Sequence, residues 1–165
     1  MRNRYAALGL TTGLVVALSC AQAQVAPGAA EGGGEAEKAK PTITITVVPD
    51  DTFKPGEEGL RPIAGTVGGV KPEDHRVVLY AYDNSVEERG RWWVQPWKAK
   101  PYTAIGKDSN WRSETHGGYW YAALLVRASY DPPREPQHEL PKVGGDVLAC
   151  DKVRPAIKGE NKPQR

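Results

Sequence analysis

The chain has 165 residues, of which 39% are hydrophobic and 25% charged, with a formal charge of +2. That is enough for one domain with one core. Arg2 and Arg4 are the only charged residues of the first 23, so without that leader the 22 basic residues fall to 20 against 20 acidic ones. A neutral chain with no one-sided clustering of Lys and Arg offers no footprint to a polyanion, which argues against nucleic acid as a partner.

Met1 to Arg4 form a basic n-region, and Ala6 to Ser19 an apolar stretch too short to span a bilayer as a stable helix. Ala21-Gln22-Ala23 supplies the small residues of a signal-peptidase site. Residues 1–23 therefore read as a signal peptide, with Gln24 as the mature start. Val16 to Cys20 also resembles a lipoprotein processing box, with Cys20 as the lipidated residue, although Leu18 stands one place closer to the cysteine than such boxes have it. Both outcomes export the chain, to the periplasm or beyond it, and a lipid on Cys20 is the only membrane attachment implied. Cys20 belongs to the leader, so Cys150 has no internal disulfide partner. Burial in the core is its expected state, with pairing between molecules as the other.

Residues 24–40 are mostly Ala, Gly, Glu and Lys around Gly32-Gly33-Gly34, with one Pro and a single branched apolar residue, Val25, a composition that cannot bury enough surface to order itself. They read as a disordered spacer, and residues 154–165, with Pro155 and Pro163, as a disordered tail. Between them, residues 41–153 follow a period of two. Thr42 to Val47 alternates threonine with β-branched aliphatics, as a half-buried strand does. Further extended runs are Arg61 to Val67, Arg76 to Tyr82, Arg91 to Gln95, Tyr102 to Ile105, Asn110 to Thr115, Tyr119 to Ala128 and Asp146 to Val153. Gly68-Gly69, Asp83-Asn84, Gly117-Gly118 and Gly144-Gly145 punctuate them, and no window carries a helical stripe. The pattern predicts an all-β, immunoglobulin-like (prealbumin-like) two-sheet sandwich of seven to eight strands. Both parities of Tyr119 to Ala128 are apolar, which places that strand centrally. His116-Gly117-Gly118 is expected to turn a hairpin between the strands of Trp111 and Trp120, two tryptophans assigned to the core.

The succession Ile63-x-Gly65-x-Val67, Val77 to Tyr80, Trp92-Trp93-Val94-Gln95-Pro96, Ile105 to Trp111 and Tyr119 to Tyr130 resembles a small β-sandwich module of secreted bacterial proteins. That module is often found beside glycoside hydrolases. More loosely the chain is similar to carboxypeptidase-regulatory and prealbumin-like domains. The resemblance covers most of Thr42 to Val153, with Asn110 in place of the glycine before Trp111. It implies a β-sandwich fold, and the module's own function is largely undefined.

Trp92, Trp93 and Trp97, with Tyr102, are the most unusual local feature. Neighbouring strand residues face opposite ways, so Trp92 and Trp93 cannot share one core, and one of them must be partly exposed or covered by a loop. An exposed indole is a platform for a pyranose ring, and these four aromatics are the candidate ligand-binding residues, with a polysaccharide as the leading ligand. The alternative is a structural or interaction component of the cell envelope, whose same aromatics meet another protein. No G-x-S-x-G elbow, phosphate loop or zinc-like spacing occurs, so no catalytic residue, metal or cofactor is assigned. His75, His116 and His138 read as separate loop histidines. Asp50-Asp51, Glu57-Glu58 and Glu87-Glu88 read as solvated turn charges.

Overall fold

A computed structural model describes residues 39–50, 52, 58–86, 89–156 and 165. The leader 1–23 with Cys20, nearly all of the spacer, Asp51, Glu57, Glu87, Glu88 and residues 157–164 lie outside the described residues. The protein is all-β, an antiparallel two-sheet sandwich. Its strands are β1 (Thr42–Val47), β2 (Arg61–Gly68), β3 (His75–Asp83), β4 (Arg91–Gln95), β5 (Tyr102–Thr103), β6 (Asn110–Thr115), β7 (Trp120–Arg127) and β8 (Val147–Val153). A 3-10 turn, Pro72–Asp74, precedes β3. The smaller sheet runs β1-β2-β6 and the larger β4-β3-β7-β8, with β5 also on β3.

The alternation read from the sequence determines what lies between the sheets. Ile43, Ile45, Ile63, Val67 and Trp111 from the small sheet meet Val77, Leu79, Ala81, Tyr121, Ala123, Leu125 and Val153 from the large one. The large sheet also buries its other face, where Val78, Tyr80, Trp92, Val94, Ala122, Leu124, Val126 and Val147 form a second cluster. Tyr130 and Leu140 of the irregular segment 130–143 pack against that cluster. The central position of β7 follows: it pairs with both β3 and β8 and is buried on both faces.

Three expectations are corrected. His116-Gly117-Gly118 does not turn a hairpin: β6 pairs with β2 and β7 with β3, so these residues carry the chain from one sheet to the other. Trp111 is core, but Trp120 is only partly buried at the rim of the second cluster, with the Lys152 ammonium 5.0 Å over its ring. Cys150, opposite Leu124 on the edge strand β8, is exposed, whereas Val147 and Val153 of the same strand are buried. In the tail, Pro155 is buried against the domain.

Where the sheet edges approach, the Asp151 carboxylate of β8 accepts the Ile45 N–H at 2.8 Å, at the register shift in β1. That bond ties the two sheets and satisfies a donor the ladder leaves open.

Tyr121 is wholly buried, its hydroxyl accepting the Gly118 N–H at 3.0 Å. Burial pushes its phenol up to about 12, and burial likewise raises Tyr80, with Tyr130 adding to the effect. A phenol whose folded pKa exceeds its unfolded value of about 10 contributes stability that is complete below pH ~10 and is lost as the pH rises through the folded value. The domain should therefore lose about 2–3 kcal/mol from Tyr121 between pH ~10 and ~12. Denaturant midpoints across that range measure it, and Tyr121→Phe should flatten the slope.

Candidate functional site

β4 and β5 lie end to end on one edge of β3: Leu79 to Asp83 pair with β4, and Val77 and Val78 with β5. The chain between them cannot stay in the sheet, and it leaves as a turn closed by the Lys100 N–H on the Trp97 carbonyl at 3.0 Å. Trp97 opens that turn and is 54% exposed, whereas Trp92 is 7% exposed.

Strand parity separates the adjacent tryptophans as expected. Trp92 pairs with Tyr82 and points to the outer face, its ring 5.0 Å from that of Tyr82. The irregular segment covers it, since Trp92 and Gln137 exchange backbone hydrogen bonds of 2.7 and 2.9 Å. Trp92 is thus a packing residue and is withdrawn from the ligand-binding set. Trp93 pairs with Ala81 and takes the inner side, on the edge strand of the large sheet. It is partly exposed, with the Lys98 ammonium 5.5 Å from its ring centre.

Tyr102 lies on the outer face too, opposite Val78. Its hydroxyl donates to Asp131 at 3.0 Å, and the Arg76 guanidinium lies 4.9 Å over its ring. Arg134 bonds Asp131 at 2.7 Å and the Lys98 carbonyl, while the Lys98 ammonium is 3.3 Å from Glu135. Hydrogen bonds from Arg134 and Tyr102 hold the Asp131 carboxyl below its usual range. This network fastens segment 130–143 to the Trp97 turn. Tyr102 therefore helps hold the cover in place and lies on the opposite face from Trp93.

Trp93 and Trp97 are brought together. With Ala81, Asp83, Gln95, Lys98 and His116 they line an edge cleft of about 310 Å³. The Trp97 and His116 rings meet edge to face, with centroids 5.0 Å apart and planes at 83°. His116 was not singled out by its sequence setting, and its position explains why. It lies where the chain crosses between sheets, and that crossing brings it to Gln95 of β4.

Gln95 is 5% exposed and its amide is committed at both ends. Its Nε2 donates to the Trp93 carbonyl at 3.3 Å, and its Oε1 accepts the His116 N–H at 3.0 Å with the His116 Nδ1 at 2.9 Å. Asp83, at the end of β3, accepts the Ser85 N–H through Oδ1 at 2.7 Å. The cleft thus offers two indoles, one of them well exposed, beside a carboxylate, an imidazole and an ammonium. No protein-family model, curated protein or solved structure matches the chain at a significant level, so the site is read from its own geometry.

Proposed function

We propose that the protein is an exported, non-catalytic β-sandwich module that binds a glycan in the edge cleft, with Trp97 as the stacking platform and Trp93 as the wall. The observation that carries this reading is the 54% exposed Trp97 indole in a cleft shared with Asp83, Lys98 and His116. Polar hydrogen-bonding groups around a flat apolar ring suit a sugar, which has an apolar C–H face and a rim of hydroxyls. A protein interface of the same size draws on a contiguous apolar core with its polar groups at the margin.

Trp97→Ala should abolish retention on insoluble polysaccharide and change stability by no more than about 1 kcal/mol, since one edge-to-face ring contact is lost. Trp93→Ala should weaken retention. A wild-type protein retained by none of a broad polysaccharide panel defeats this reading. Crosslinking from position 97 to an envelope protein would then put the interaction reading in its place.

A further inference from the structure

The geometry points to the kind of glycan the cleft selects, an inference that rests on the glycan reading above: Gln95 fixes His116 as its Nδ1–H tautomer, so that the ring offers Nε2 as an acceptor and the site prefers neutral, hydroxyl-rich glycans to acidic ones. Which imidazole nitrogen carries the proton follows from what the other atoms must do. The Gln95 Nε2 faces a carbonyl, that of Trp93 at 3.3 Å, and the Gln95 oxygen faces the backbone N–H of His116 at 3.0 Å. Flipping the amide would set a donor against a donor at one end and an acceptor against an acceptor at the other. With the oxygen so fixed, the His116 Nδ1 at 2.9 Å has to donate to it. In the neutral ring Nε2 is then the acceptor.

Among the described residues that line the cleft, the charged ones besides His116 are Asp83 of β3 and Lys98 of the loop after β4. Lys98 is matched, its ammonium lying 3.3 Å from the Glu135 carboxylate. The Asp83 carboxylate is an acceptor like Nε2. A sugar hydroxyl can donate to either one, and a hydroxyl-rich ring has a proton for each. A uronate carboxylate has no proton to give, meets two acceptors, one of them charged, and finds as a cationic donor an ammonium already shared with Glu135. Gln95 is a positioning residue in this scheme, and His116 makes the contact.

The test combines tautomer and binding. Nitrogen-15 NMR of the free protein should show His116 protonated at Nδ1. Gln95→Leu should yield mixed tautomers, whereas Gln95→Glu, which keeps an acceptor, should retain Nδ1–H. Neutral glucans, mannans and xylans should be held more tightly than polygalacturonate or alginate. His116→Leu should weaken retention of a neutral glycan roughly tenfold, as for one lost hydrogen bond.

An Nε2–H tautomer in the wild type overturns the proposal, as does unchanged affinity in His116→Leu. Uronates held as tightly as neutral glycans, through Trp97, overturn the selectivity alone. No retention of any glycan, with the Nδ1–H tautomer in place, overturns the glycan reading and the selectivity with it, and leaves only the Gln95–His116 geometry standing.

Discussion

Replacing Gly65 by alanine should cost the domain at least about 3 kcal/mol, beyond the usual range for one methyl group too many in a core. Gly65 sits in the middle of β2 and is paired with Trp111 of β6, whose indole lies against it. A Cβ there would stand 1.9 Å from the Thr44 carbonyl oxygen, 2.6 Å from Trp111 Cζ2 and 2.8 Å from Trp111 Cε2. A ring can be displaced; the carbonyl belongs to the neighbouring strand's backbone and moves only with the ladder. Trp111 is itself among the largest fully buried side chains, so Trp111→Ala should cost about 3–5 kcal/mol. The double variant tells the two clashes apart. Removing the indole relieves its contacts with the new methyl group and leaves the Thr44 contact, so the combined loss should be less than additive yet larger than that of Trp111→Ala alone. Urea unfolding of the four proteins gives the cycle, and a Gly65→Ala protein within about 1 kcal/mol of wild type contradicts the packing described here.

The strand pattern was legible because it is local. Arg91 to Gln95 and Asn110 to Thr115 begin and end where the alternation and the flanking turn residues place them. The two apolar parities of β7 announced a strand covered on both faces, because a half-exposed strand has no reason to make both sides apolar. What escaped was non-local. Gly117 and Gly118 suggested a tight hairpin, but Gly118 lies in close quarters between strands: a Cβ there would stand 3.1 Å from Ala81 Cβ and 3.2 Å from the Trp120 carbonyl oxygen. A glycine selected for close approach and one selected for a turn look alike in sequence.

The site divides along the same line. The opposed directions of Trp92 and Trp93 followed from strand geometry alone, and the need to cover one of them was foreseeable. Which one is covered depends on where segment 130–143 lies, and that is set by the Trp92–Gln137 backbone pair and the Lys98, Asp131, Arg134 and Glu135 contacts. None of these has a local signature. His116 was invisible for the same reason. Its role depends on Gln95, 21 residues earlier in the chain, and single histidines beside glycines carry no mark of such a partner.

Trp92→Ala should behave oppositely to Trp97→Ala, and the contrast tests the division between packing and binding more sharply than either variant alone. Trp92 is 7% exposed and belongs to the outer cluster with Tyr80, Val94 and Leu124. Its truncation leaves a void between the large sheet and its cover, which should cost about 3–5 kcal/mol. The damage should concentrate in segment 130–143, because Tyr130 and Leu140 of that segment pack against the cluster to which the Trp92 ring belongs, so protease cleavage there should rise before global unfolding. The Trp97 turn is fastened to the same segment through the Lys98 carbonyl and Arg134, so glycan retention by Trp92→Ala should fall as the cover loosens and recover at low temperature. Trp97→Ala should stay folded and fail to bind at any temperature. The distinction comes from physics that a single-point assay would miss: loss through a loosened support is graded by stability, whereas loss of the stacking ring is absolute. A Trp92→Ala protein as stable as wild type would return Trp92 to the surface, and the assignment of Trp93 as the cleft wall would fall with it.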